Sequence, residues 1–315
     1  MYRRALTLLG VLSAIAVAAP SAHAQCGLLI LENLGNVDWQ GASGSYDIFD
    51  SSSYAQPVNI RVIKLLGTCT FSVGADEGQS GTYGSRQLRH GGDRVDYNLY
   101  TDSALANVLT EPGDGGQQLT GAFTTPDIIE SQVLTYYYNI PPLQVVPGTN
   151  GNYSDRVRFT VYEGSGNNPR GRGSQNVGHR AQIARSAEIS LVESGAPFDA
   201  NDVSQFMDFG IFYTGQSLSF DLRGRANTDF DIEMQSANGG VMVHTSFPAS
   251  QVPYTLTSNG SAVPLGGGPV VIGSFNGGAT GPQGELYAIS VTIDSLAGTF
   301  GGLHQDQITV TLTAR

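Results

Sequence analysis

The stretch Asp306-Gln307-Ile308-Thr309-Val310-Thr311-Leu312-Thr313-Ala314-Arg315 decides how this sequence is read. Ile308, Val310 and Leu312 share one face and threonines the other, the period-two pattern of a half-buried strand. A strand this regular takes hydrogen-bond partners along both edges, and the sequence stops here without offering a second one. An open sheet edge invites aggregation, so the pattern predicts that another chain completes the sheet.

Working back from that strand, the chain offers little that reads as helix; Asp202 to Phe209 is the nearest candidate, a turn or two at most. Short alternating runs recur between Gly, Pro, Asn and Asp clusters: Val58 to Val62, Cys69 to Val73, Val133 to Ile140 with its three tyrosines, and Val157 to Tyr162. This spacing predicts β-sandwiches and not a βαβ sheet. Residues 164–181 contain the run Gly164 to Gly173, which has no apolar side chain to bury and reads as a linker. A second all-β unit then opens at Ala187-Glu188-Ile189-Ser190-Leu191-Val192. The halves echo one another: Val95 to Leu99 matches Val252 to Leu256, and Asp155 and Asp306 each precede the last strand of their half. The expected organisation is therefore residues 1–24 as a signal peptide, 25–163 as a first domain, 164–181 as a linker and 182–315 as a second domain.

The signal peptide rests on Arg3 and Arg4, the apolar run Ala5 to Ala19, and the small-x-small site Ala22-His23-Ala24, which predicts a mature start at Gln25. The apolar run is too short to span a bilayer. Loss of the two arginines takes the net charge from −11 to −13. That charge argues against a nucleic acid partner or an anionic membrane. Cys26 and Cys69 are an isolated pair in an exported chain, read as one disulfide ahead of a thiol nucleophile or metal ligands.

Few other residues suggest chemistry. His90, His179, His244 and His304 lack metal-ligand spacing, and no Gly-x-Ser-x-Gly elbow is present. Asp93, Asp96, Asp114 and Asp127 read as loop acids, not as a glycosidase pair or calcium site. Asp155 and Asp306 read as caps that set strand entry. The expectation is a protein without enzymatic activity, metal or cofactor.

Three groups of residues carry a family resemblance in the first half: Tyr97-Asn98-Leu99-Tyr100-Thr101-Asp102, Ile140-Pro141-Pro142-Leu143-Gln144-Val145-Val146-Pro147-Gly148, and Gly151-Asn152-Tyr153-Ser154-Asp155. They resemble the spore coat protein U domain, a family that supplies subunits of archaic chaperone–usher pili. The second half is similar to pilin domains of that system at Asp208-Phe209-Gly210, Ser236 to Gly240, Pro253 to Leu256 and the terminal strand. The resemblance implies immunoglobulin-like sandwiches, the second lacking its final strand. It also implies a periplasmic pilus chaperone, an outer-membrane usher and an adjacent subunit that donates a strand. Ile308, Val310 and Leu312 would then line the groove edge. With almost nothing ahead of Cys26 to donate, the expected place is the pilus tip at the cell surface, as an adhesin mediating attachment and biofilm formation. A complete secreted binding module is the alternative. If Val157 to Tyr162 runs toward the linker, the loop with Leu143, Val145 and Val146 lies at the free pole, and with Tyr46, Phe49 and Tyr54 it is the expected contact for an unidentified surface ligand.

Overall fold

The alternation around Val157 to Tyr162 becomes a strand buried on one face, and the first sandwich is built about it. In the computed structural model the described residues are 25–32, 34–41, 44–126, 128–164 and 169–315. The signal peptide, at residues 1–24, lies outside them.

The first sandwich contains β1 (Leu28–Leu31), β2 (Asn36–Asp38), β3 (Gln56–Leu65), β4 (Cys69–Ala75), β5 (Arg86–His90), β6 (Asp93–Tyr100), β7 (Leu119–Phe123), β8 (Ile129–Asn139), β9 (Asn152–Glu163) and β10 (Arg170–Gln182). One layer has the order β1-β3-β8-β6, the other β7-β4-β9-β10, with β5 between β6 and β9 and β2 parallel on the outer edge of β10. Val157, Phe159 and Val161 of β9 are fully buried, with Tyr97, Tyr136 and Tyr138 from the facing layer. The Cys26–Cys69 disulfide forms, with Cα atoms 5.4 Å apart. Its 43-residue separation contributes about 4 kcal/mol in the chain-entropy model.

Residues 170–182 are therefore not a linker, and this corrects the sequence reading. They form β10, antiparallel to β9 over the register Arg170↔Glu163 to Gln182↔Asn152. Only Val177, His179 and Ala181 point inward and are buried; the glycine- and arginine-rich first half is held by main-chain bonds and needs no apolar side chain. Two of its arginines are occupied: Arg172 pairs with Glu163, and Arg180 pairs with Asp38 at 2.7 Å. The first sandwich thus supplies its own last strand.

The second sandwich contains β11 (Ala187–Glu193), β12 (Ser217–Ala226), β13 (Phe230–Ser236), β14 (Val241–His244), β15 (Gln251–Ser258), β16 (Ser261–Ala262), β17 (Val270–Phe275), β18 (Glu285–Ile293), β19 (His304–Gln305) and β20 (Ile308–Ala314). Its layers are β11-β12-β18-β15 and β17-β13-β20. Strand for strand this repeats the first sandwich, with β11, β12, β18 and β15 matching β1, β3, β8 and β6, and β17, β13 and β20 matching β7, β4 and β9. The match extends to side chains. Tyr97 donates to Asp155 at 2.7 Å, and Tyr254 donates to Asp306 at 2.5 Å. Both carboxylates also accept the N–H of the following residue; Asp306 lies just ahead of β20, whereas Asp155 lies inside β9, three residues past its start, and not in a turn before it. Asp202 to Phe209, the candidate helical turn, forms neither helix nor strand.

A short link, residues 183–186, joins the sandwiches and is clamped. Asn227 donates to Ala184 O at 2.8 Å, and its Oδ1 accepts Ser186 N at 2.7 Å. Its carbonyl accepts Gly148 N from the first sandwich, also at 2.7 Å. Arg225 stacks between Phe49 of the first sandwich and Phe198 of the second, 4.4 and 4.1 Å from the ring centroids.

His179 of β10 makes the fold sensitive to acid. Fully buried among Tyr97, Tyr136, Tyr138 and Phe159, it meets the Tyr136 hydroxyl at 3.0 Å through Nε2. Burial, and secondarily the Arg86 guanidinium, push it down to about 3. Both folded and unfolded chains carry it neutral above pH ~6.5; below that, only the unfolded chain takes the proton. The stability contribution is thus complete above pH ~6.5 and is lost as pH falls toward 3, at up to about 1.4 kcal/mol per unit. Denaturant unfolding of the full chain at pH 6.5 and 5.0 should differ by roughly 2 kcal/mol more in the native protein than in His179→Leu. Equal pH slopes for the two proteins would remove His179 as the cause.

Candidate functional site

The site is a strand position that the second sandwich leaves open. In the first sandwich β9 has β4 and β5 on one edge and β10 along the whole of the other. In the second, β20 pairs with β13 over the register Phe230↔Ala314 to Ser236↔Ile308. Among the described residues no strand pairs with the other edge of β20. The carbonyl and N–H groups along that edge form a free template for an added strand.

Side chains tell the same story. Val157, Phe159 and Val161 of β9 are fully buried under β10, whereas Ile308, Val310 and Leu312 of β20 are only half-buried against the second core. Beside β20 lies a groove of about 690 Å³ that reaches Leu191, Met234, Leu256 and Val291 of that core. Ile308 and Val310 line it; Leu312 packs against the same core nearer the link to the first sandwich. The Tyr254 hydroxyl sits in the groove floor and is raised well above its ordinary value, first by burial and then by the Asp306 carboxylate it serves.

The far wall of the groove comes from the connection between β11 and β12. Residues 203–209 form neither helix nor strand; Gln205 and Met207 are half-buried and Phe209 is buried, while Val203, Phe206 and Asp208 are exposed along the groove. Side-chain amides hold the segment: Gln205 donates to Leu191 O at 3.0 Å and Gln216 to Phe209 O at 2.6 Å. Its matching segment in the first sandwich contains β2, which pairs with β10.

The residues expected to form the outer contact surface lie elsewhere than predicted. Because β10 turns back along β9, the start of β9 faces the second sandwich, and the loop before it lies at the junction. Tyr46, Phe49 and Val146 are buried there. Tyr46 N donates to Gln182 O and its hydroxyl to Pro141 O, and Phe49 lies under Arg225. Tyr54, Leu143 and Val145 are exposed, but at the same junction-side pole. The opposite pole carries three apolar side chains that the sequence reading did not single out: Leu66 at 55%, Ile128 at 70% and Ile129 at 67% exposure. Leu66 N donates to Ile128 O at 2.9 Å, which keeps the loops together. Leu66 also sits in the left-handed region, with φ +64°, a conformation that costs about 1 kcal/mol for a residue with a Cβ. The adjacent Ile128-Ile129 after Pro126 was the available signal.

The remaining polar candidates have structural partners. Asp114 accepts the Tyr83 hydroxyl, and Asp96 N is held by Gln144. Asp127 lies outside the described residues. His90 meets Asn152 O at 3.3 Å. His244 Nδ1 accepts N–H groups from Ser246 and Phe247, both at 3.0 Å, so its proton resides on Nε2, facing Gly301 O. His304 meets Gly302 O through Nδ1 and the Ser250 hydroxyl through Nε2. Among the described residues no group of three His, Cys, Asp or Glu side chains converges as metal ligands do.

Comparison with known proteins gives this geometry a context. The Spore Coat Protein U domain matches residues 13–160. No curated protein sequence matches the chain. A chain of the chaperone–tip subunit pre-assembly complex of archaic chaperone–usher Csu pili from Acinetobacter baumannii is similar over 90% of this chain and 99% of its own. The identity there is 13% and the TM-score 0.48. The CupB6 tip adhesin of Pseudomonas aeruginosa is similar over 91% of this chain and 95% of its own, at 10% identity and a TM-score of 0.40. Over most of its first sandwich the chain is thus similar to the Spore Coat Protein U domain.

Proposed function

We propose that this chain is a strand-accepting pilus subunit of the chaperone–usher type, carried at the fibre tip, where its first sandwich attaches to a surface. The observation that carries the reading is the comparison within the chain: β20 keeps β13, the equivalent of β4, on one edge, and among the described residues has no strand where β10 lies along β9. A strand inserted beside β20 regains the ladder that β10 gives β9 and covers Ile308, Val310 and Leu312. Completing the burial of each is worth about 1 kcal/mol, in addition to the main-chain bonds. A periplasmic chaperone strand would hold the groove first, and the N-terminal segment of the adjoining subunit would replace it at the outer-membrane usher. The self-complete first sandwich leaves one groove in the described chain, which suits a terminal position.

Attachment is assigned to the Leu66, Ile128 and Ile129 pole, which lies farthest from the groove and exposes contiguous apolar surface. An apolar surface is the matching target.

Thermal unfolding of the full chain, with and without a synthetic peptide of the N-terminal segment of the subunit that accompanies it in isolated pili, tests strand acceptance. The peptide should raise the midpoint of the second sandwich. Val310→Arg, which would force a cation against the seated strand, should weaken peptide binding at least about 100-fold, roughly 3 kcal/mol. Thr311→Arg, on the outer face, should leave it unchanged. A second sandwich indifferent to peptide would return the chain to the complete secreted binding module.

Attachment is tested separately. Ile128→Asp with Ile129→Ser should cut retention of the purified chain on apolar surfaces by about tenfold or more, equivalent to at least about 1.4 kcal/mol. Val145→Asp, at the junction-side pole, should not. Equal losses from both substitutions would place the contact elsewhere.

A further inference from the structure

Beyond the groove, the second sandwich exposes a rigid aromatic surface at the pole where β20 begins. Phe247 is 58% exposed, Phe300 62% and Leu303 65%. Phe247 and Phe300 meet edge-on at 6.1 Å between centroids. The main chain that carries them is held in place: Phe247 N donates to His244 Nδ1, and Phe300 N donates to Ser250 Oγ at 2.8 Å. His244 and His304 pack edge-to-face beneath them at 4.9 Å. Leu303 and His304 also line the groove, so patch and groove are continuous. Pre-ordered aromatic side chains on an otherwise polar surface are suited to a protein interface, because little conformational freedom remains to be lost on contact.

The first sandwich shows what covers this pole. Its loop between β8 and β9, equivalent to the one that carries Phe300 and Leu303, holds Gly148, which meets the second sandwich, and Phe49 from the neighbouring loop between β1 and β3 meets it too. The strand beside β9 explains why. The C-terminal end of β10 lies next to the start of β9, and only residues 183–186 separate it from the next folded unit. A strand placed beside β20 in the same direction ends next to Ile308 and delivers whatever follows it to Phe247, Phe300 and Leu303.

We infer that this pole is a second contact with the adjoining subunit, made by that subunit's folded body and not by its inserted strand. The inference rests on the strand-accepting reading. It predicts that the aromatic pole meets its neighbour much as the first sandwich meets the second within this chain.

Photo-crosslinking in assembled pili tests it. The full chain is expressed in its own pili with p-benzoylphenylalanine in place of Phe300, of Phe247, or of Val310 in the groove. The expected result is that the Phe300 and Phe247 probes attach to the same polypeptide as the Val310 probe, at residues outside its inserted N-terminal segment. If the Val310 probe crosslinks while the pole probes remain free, or attach only to the inserted segment, to lipid or to another copy of this chain, the inference is overturned and strand acceptance stands. Failure of all three probes to crosslink overturns the strand-accepting reading, and this inference with it.

Discussion

The main-chain ladder between β9 and β10 is the constraint on which the first half of this molecule depends, and the lack of its equivalent at β20 governs the second half. A central strand of a sandwich layer needs neighbours on both edges, because each buried N–H and C=O left without a partner costs free energy comparable to a lost hydrogen bond. β9 satisfies this within the chain, and its apolar side chains reach full burial. β20 has the same alternation and the same Tyr–Asp lock at its start, yet its apolar face is half-covered. One protein therefore contains both the finished and the unfinished version of a single design.

The unfinished edge was legible in the sequence because alternation reports a half-buried strand whatever its neighbours are. Ile308, Val310 and Leu312 were readable for the same reason. The duplicated aspartates were readable as a repeat, although only Asp306 precedes its strand and the tyrosine partners were visible only as an echo between Tyr97 and Tyr254. β10 was not legible. Gly171, Gly173 and the arginines around them look like solvated linker, and a strand held mainly by backbone bonds leaves a weak compositional trace. The alternation Val177, His179, Ala181 was present, but a histidine in an apolar face broke the pattern.

That single misreading inverted the first domain. With residues 164–181 as a linker, the end of β9 points toward the second sandwich; with β10 folded back, it points away. Tyr46, Phe49 and Val146, expected outside, then belong to the first core at its junction end, with Phe49 under Arg225, while Leu66, Ile128 and Ile129 occupy the free pole. Apolar loop residues are informative about contact only once the chain direction is known, since both poles of a sandwich expose them.

The clamped junction has a mechanical consequence. Residues 183–186 are held on both sides by Asn227, and Arg225 wedges a ring from each sandwich. These contacts tie the two units together at their junction, so on the proposed reading a sideways force at the Ile128 end would be passed to the β20 end as torque. In the proposed fibre the two sandwiches would then act together as one lever arm.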